Sequence, residues 1–303
     1  MKGKKGFMGK LSSADRTFHV ICTCWLAAAG LLVLYPLIYV ISCSFSDTQA
    51  ILDGRVILWP ADFSLNAYRG VLSHALLRTG FFNSLLYVAG GTTVGVTLVL
   101  LAAYPLSRRD LPDRKLFQVF FVVTMFFSGG LIPSYLLMRD LHLIGSRWAL
   151  IIGAGFSCYN MIIVKTWFQT SLPDGLLDAA HIDGCRDIRF FTTIALPLSV
   201  PVIAVIVLFN AVGIWNSYFS GMLYLSNPKT YNFQMVLRDI LFIASAPPEI
   251  VAVMDPEQVA NKQNIMQQLR YAVLVVGALP MMLLYPFIQK YFIRGMMIGS
   301  LKE

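Results

Sequence analysis

Charged residues are scarce in this chain: they make up 13% of 303 residues, about half their share in soluble domains. That deficit excludes a disordered protein or an ordinary cytosolic one, since both need charge to stay solvated. Cysteine is sparse too. Cys22, Cys24, Cys43, Cys158 and Cys185 form no C-x-x-C pair and have no histidines at zinc spacing, which excludes a zinc module or a disulfide framework. Four of them lie in or beside apolar runs, where a thiol is expected to be buried as a small hydrophobe. His19, His74, His142 and His181 share no ligand or catalytic spacing, and no Ser/His/Asp motif is present. There is no Walker A sequence and no G-x-G-x-x-G. What the chain has is apolar surface: 57% of its residues are hydrophobic and its mean hydropathy is +0.66. Its net charge of +8 lies in the breaks between apolar runs, not on the clustered face that nucleic acid requires.

A bilayer core about 30 Å thick needs about 20 mostly apolar helical residues to cross it. Six stretches qualify, near 18–42, 81–106, 116–138, 147–169, 196–223 and 269–293. Lone prolines at 36, 105, 133, 280 and 286 fall within or at the ends of these spans, where membrane helices tolerate kinks. The pattern predicts an all-α integral membrane protein with six transmembrane helices. Lys2, Lys4, Lys5 and Lys10 precede the first span as they precede a signal peptide. The apolar run that follows exceeds the about 7–15 residues of a signal h-region, so it is read as a retained anchor. Lys and Arg are denser in the segments that share a side with the N-terminus, including Arg108, Arg109, Arg114, Lys115, Arg186 and Arg189. By the positive-inside rule both termini face the cytoplasm.

This gives a domain reading: a cytoplasmic segment over 1–17, a first transmembrane helix over 18–42, an external segment over 43–80, and a core of five further helices over 81–293. Within the core lie a cytoplasmic loop at 170–195 and a long external loop at 224–268, and a cytoplasmic tail follows at 294–303.

The 170–195 loop is not composed like a linker. Pro173 and Asp174 suit the first turn of a helix, and Leu176, Leu177 and Ala180 give it one apolar face. Gly184 is a left-handed stop, and a second short helix near 186–193 precedes Pro197, which opens the fifth span. Paired alanines and a glycine turn permit close approach by a partner, with Asp178, Asp183, Arg186 and Asp187 as charged contacts at the rim. On these grounds alone the loop is either a docking element or an amphipathic segment lying on the membrane surface.

The order Asp178-Ala179-Ala180, then Gly184, then Ile194-x-Leu196-Pro197 resembles the EAA loop of binding-protein-dependent ABC importer permeases. Asp178 stands where that family usually has Glu, which keeps the carboxylate on a shorter stem. The likeness extends to Asn83-Ser84, Ala103-Tyr104-Pro105-Leu106-Ser107-Arg108, Ile132-Pro133-Ser134-Tyr135, Leu143 to Trp148, Trp215-Asn216 and Gln289 to Gly295. These are similar to maltose-type sugar permeases, and the ending Met297 to Lys302 is similar to a branch assigned to complex plant or uronic-acid oligosaccharides.

The resemblance implies a type I ABC importer permease fold and a multi-pass subunit of a bacterial cell membrane. Such a subunit would pass a sugar or oligosaccharide from an external solute-binding protein to the cytoplasm. Its partners would be a second, similar permease subunit and a cytoplasmic ATPase dimer. The chain itself would be no enzyme and bind no cofactor; ATP and Mg belong to the partner ATPase. Asp178, Ala179, Ala180, Gly184, Ile194, Leu196 and Pro197 would couple to that ATPase. The loop over 224–268 is either the region that meets the binding protein or an inert external loop. Asn83, Asn210, Trp215, Asn216 and Tyr218 are candidates for the substrate path, because polar residues within spans tend to face the bundle interior; helix–helix adhesion is the alternative use of asparagine there. A cation-coupled secondary transporter is the rival reading. It calls for internal repeats and ionisable groups at the membrane midplane, and these spans carry almost none.

Overall fold

The computed structural model describes residues 13–245, 266–267, 269–286 and 289. The ends of the chain, most of the 224–268 loop after residue 245, and the close of the sixth span lie outside the described residues. Those described are predominantly helical, with one isolated antiparallel bridge between Ser46 and Phe63. Two compact units divide the chain. One comprises residues 1–71 and 243–275, the other residues 72–242 and 276–303.

The first unit is led by α1 (Ser13–Ser44), which contains Pro36. Most of its large apolar side chains are exposed, Trp25 at 76% and Leu32 at 76% among them. A long uniformly apolar helix with this little protein cover is what a lipid-facing span requires. The end of α1 is fastened by serine hydroxyls. Ser42 donates to the Leu58 carbonyl at 2.6 Å, Ser46 accepts from the Ala61 amide at 3.0 Å, and the hydroxyls of Ser44 and Tyr68 are 2.8 Å apart. Phe45 stacks on Phe63 beneath them, with ring centroids 5.9 Å apart. Two short helices follow, α2 (Thr48–Leu52), capped by the Asp47 carboxylate, and α3 (Asn66–Ser73).

The second unit is built around α4 (Ala75–Ser107). Its principal neighbours are α7 (Trp148–Gly153), α8 (Cys158–Ser171) and α12 (Val200–Trp215). Gly91 and Gly95 make that approach possible. A β-carbon at Gly95 would sit 2.9 Å from the carbonyl oxygen of Gly155, and one at Gly91 would sit 2.8 Å from a methyl of Ile214. Val96, Val99, Ala103 and Leu106 of α4 form a core with Val164 and Phe168 of α8 and Val202 and Ile206 of α12.

Three of the six expected spans are not continuous helices. The third is divided into α5 (Arg114–Phe126) and α6 (Leu131–Asp140), bent by 110°. The Ser128-Gly129-Gly130 run lies at that bend, with Gly130 at φ +85°, a conformation open to glycine and costly elsewhere. The fourth is interrupted between α7 and α8, where the Ser157 hydroxyl accepts from the Asn160 amide and starts a new helix. The fifth bends by 79° between the segment Asp187–Leu198 and α12, because Pro201 has no N–H to continue the ladder. Beyond α12 come α13 (Tyr218–Tyr224), a 3-10 turn at Pro228–Thr230, and α14 (Phe233–Ser245). Among the described residues three helices are long and apolar enough to cross a membrane: Ala14–Ser44, Ala75–Ser107 and α15 (Leu269–Pro286). Counting each bent pair as one span brings the total to five.

The cysteines are less uniformly buried than their apolar surroundings predict. Cys43 is buried, whereas Cys24 is exposed, and Cys22, Cys158 and Cys185 are partly covered. Cys24 stands on α1, where little protein packs.

Candidate functional site

The 170–195 loop folds into a short helix packed against the α4–α8 core. Pro173 takes the cap position, extended at ψ 142°, and α9 runs over Asp174–Ile182. Leu176, Leu177 and Ala180 turn one side of α9 onto the core that contains Phe168, Phe190 and Ala195. Asp178, Ala179 and Asp183 lie on the exposed side. Ile182 is 86% exposed and, just beyond, Ile188 is 81% exposed.

α9 ends as its sequence predicts. Gly184 adopts φ +74°, its amide donates to the His181 carbonyl at 3.0 Å, and the Cys185 amide donates to the Ala180 carbonyl at 2.8 Å. This pair of bonds, with glycine in the left-handed position, is the Schellman closure of a helix. It turns the chain into α10 (Asp187–Phe190), which continues through a five-residue π turn, Phe191–Ala195, into α11 (Leu196–Leu198). The second helix expected near 186–193 is present and runs on, through the π turn, to Leu198. Within it Ala195 is fully buried, Ile194 and Leu196 are half-buried, and Pro197 is exposed. The structure thus brings Asp178, Ala179, Ala180 and Gly184 together on one turn-and-helix, and sets Ile194, Leu196 and Pro197 on the stem that leads into α12.

The neighbouring loop between α4 and α5 contributes a charged cluster that motif reasoning passed over. Arg108 is 13% exposed. Its Nε and Nη2 reach Asp110 at 2.8 and 2.6 Å, and its Nη1 reaches Asp187 at 3.0 Å and the Tyr104 hydroxyl at 3.3 Å. His181 Nε2 lies 3.3 Å from the same Asp187 oxygen. Asp187, expected at the rim of the loop, stays 64% exposed there while its carboxylate meets these two partners. Hydrogen bonding from Arg108 holds the Asp110 carboxyl below its ordinary range, and the reciprocal bond raises Arg108 against the opposing pull of burial. The signal available in the sequence was the pairing of Arg108 with an acidic residue 79 positions away, which spacing alone does not reveal. A cavity of about 720 Å³ opens between the two loops, lined by Arg108, Arg109, Arg114, Leu177, Asp178 and His181 among others.

The five polar residues expected along a path are placed differently from one another. At the end of α4 away from these loops, Asn83 is 5% exposed. Its amide donates to the carbonyls of Lys229 and Tyr231 at 2.9 and 3.0 Å, while its oxygen accepts from Arg147 at 3.3 Å. Trp215 is 1% exposed, stacks on Phe233 with centroids 6.0 Å apart and donates its indole N–H to the Gly277 carbonyl at 2.9 Å. Asn210 is buried, and its amide returns to the Ile206 carbonyl at 3.0 Å. Only Asn216 and Tyr218 are open: Asn216 is exposed and Tyr218 is 44% exposed. Among the described residues no group of His, Cys, Asp and Glu is arranged to hold a metal ion.

Residues 95–298 match the family described as binding-protein-dependent transport system inner membrane component. The polygalacturonan/rhamnogalacturonan transport system permease protein YtcP of Bacillus subtilis is 38% identical over 288 residues, covering 95% of this chain and 99% of that protein. Protein LplC of the same organism is 36% identical, over 96% of this chain and 97% of its own length. A chain from the crystal structure of a bacterial ABC transporter involved in import of the acidic polysaccharide alginate superposes with a TM-score of 0.83. Its sequence identity is 30%, and the match covers 93% of this chain and 99% of that one. The protein therefore belongs to the binding-protein-dependent ABC transporter permeases, multi-pass inner-membrane subunits that are transport components and not enzymes.

Proposed function

We propose that this chain is the permease subunit of an ATP-driven importer of oligosaccharides, with uronic-acid-rich chains as the substrate class. In this reading six spans cross the membrane with both termini cytoplasmic. The boundaries are 1–17, 18–42, 43–80, 81–293 and 294–303, with the coupling loop at 170–195 and the external loop at 224–268. A second, similar permease, two cytoplasmic ATPases that hold ATP and Mg, and an external solute-binding protein complete the importer.

One observation carries the coupling role: α9 is anchored to the core by Leu176, Leu177 and Ala180 while it presents Asp178, Ala179 and Ile182 outward. An isoleucine 86% exposed on a loop outside the spans suits a partner's apolar cleft. Ala179 lets that partner approach the backbone, and Asp178 offers it a carboxylate. Gly184, Ile194, Leu196 and Pro197 hold the loop on its stem, so a displacement of α9 is passed toward α12. ATP-driven closure of the ATPases then switches the bundle between two packings as rigid bodies.

The substrate class is supported by two relatives, one a permease of a polygalacturonan/rhamnogalacturonan transport system and the other part of an importer of the acidic polysaccharide alginate. It also suits Arg147, an exposed guanidinium beside Asn83 and a fitting partner for a sugar carboxylate. Asn216 and Tyr218 are the exposed members of the proposed path, while Asn83, Asn210 and Trp215 shape it from buried positions.

The coupling role is tested by co-purifying the ATPase with the Ile182→Asp variant. A carboxylate placed in an apolar contact is expected to reduce ATPase recovery by at least about tenfold, the size of a lost interface anchor. Unchanged recovery counts against docking through this face.

A further inference from the structure

α9 is a nine-residue helix, and on the side toward the α4–α5 loop it borders the cavity of about 720 Å³ rather than solid packing. A push on α9 from outside would partly be absorbed by closing that hollow, because only well-packed contacts transmit displacement without loss. Along the cavity wall runs a chain of polar contacts that stiffens it. Arg108 at the end of α4 binds Asp187 at 3.0 Å, and His181 of α9 lies 3.3 Å from the same carboxylate oxygen. Asp187 opens α10, so its carboxylate joins three segments: the end of α4, the last turn of α9, and the stem that leads to α12. The rest of the Arg108 fork grips Asp110 with two bonds, which fixes the guanidinium plane before it meets Asp187. Beside it the Tyr104 ring lies 4.8 Å from the ring of Phe191 and 5.7 Å from that of Phe168, so the arginine springs from a braced position.

We propose that Arg108, through its ion pair with Asp187, is a positioning residue that makes the coupling loop and α4 move as one body, so that displacement of α9 reaches the bundle's central helix. The π turn at Phe191–Ala195 lies directly beyond this joint, and π turns are among the places where helices bend. With Arg108 engaged the motion is delivered to α4 before that segment can absorb it. The proposal rests on the coupling role assigned to the 170–195 loop.

The test uses the full importer reconstituted in liposomes, with ATP hydrolysis and uptake of a labelled oligogalacturonide measured in the same vesicles. In the Asp187→Asn variant the joint is weakened at an exposed carboxylate while the Asp110 grip is kept. Uptake per ATP hydrolysed is expected to fall about tenfold, within the usual range of coupling between sites, with hydrolysis continuing. Asp187→Glu is expected to restore most of the ratio, and Asp110→Asn to lower it by no more than about twofold, as for an exposed pair. An unchanged ratio in both Asp187→Asn and Arg108→Gln overturns the proposal. So does failure of both variants to assemble, which would make the pair an element of folding instead of transmission. Failure of the underlying coupling role looks different: recovery of the ATPase would then be unchanged in the Ile182→Asp variant.

Discussion

Gly184 occupies φ +74° with no atom within 4 Å of where a β-carbon would stand. Its requirement is therefore one of backbone conformation and not of space. Gly184→Val is expected to cost the loop about 1–2 kcal/mol, the penalty of a left-handed L-residue. Gly184→Asn is expected to be tolerated better, since asparagine visits that region. The measurement is uptake at matched membrane insertion, and equal activity of the two variants would contradict this. Gly95 presents the opposite case. Its missing β-carbon would lie 2.9 Å from a backbone carbonyl, so Gly95→Ala is expected to destabilise by about 1–3 kcal/mol through overpacking. Gly213, with nothing within 4 Å, is expected to accept alanine at no loss of thermal stability in detergent. Gly184 was legible in the sequence because a helix stop is a local property. The partner of Arg108 was not, because its acceptor comes from a loop 79 residues away.

At the scale of elements, α4 does two jobs along its length. Near one end it packs against α8 and α12 and carries Arg108; near the other it fastens the chain that follows α13. Tyr87 donates to the Thr230 carbonyl at 2.6 Å, and Ser84 accepts from the Phe233 amide at 2.8 Å. Ser84→Ala leaves that buried amide unpaired, and thermal unfolding is expected to register a loss of about 1–3 kcal/mol; no change in midpoint would show that the amide finds another acceptor. Of the six apolar runs, three appear among the described residues as helices long enough to cross a membrane, and two bent pairs bring the number to five. Hydropathy did not see the bends. A run that is apolar throughout shows no change of pattern where Ser128-Gly129-Gly130 or Pro201 interrupts the hydrogen-bond ladder, and the bent pairs pass the same apolar test as straight helices. Asn83 and Trp215 show a related limit: polarity inside a span marks them as special, yet it does not distinguish a lining role from the carbonyl bonds that both side chains make.

For the whole molecule, the shortage of charge that marks the sequence has a mechanical consequence. The apolar spans offer almost no ionisable group for a cation to drive, and the conspicuous charge network among the described residues, Arg108 with Asp110, Asp187 and His181, sits at the joint between α4 and the 170–195 loop. Energy for transport is accordingly expected to enter through that loop from a partner. The most direct test places the permease pair, its ATPase and its binding protein in liposomes and follows entry of a labelled oligogalacturonide under two regimes. Uptake is expected with ATP and binding protein present and no ion gradient, and to be lost in the Gly184→Val variant. Uptake sustained by a proton or sodium gradient without nucleotide would contradict the assignment of this chain as an ATP-driven permease.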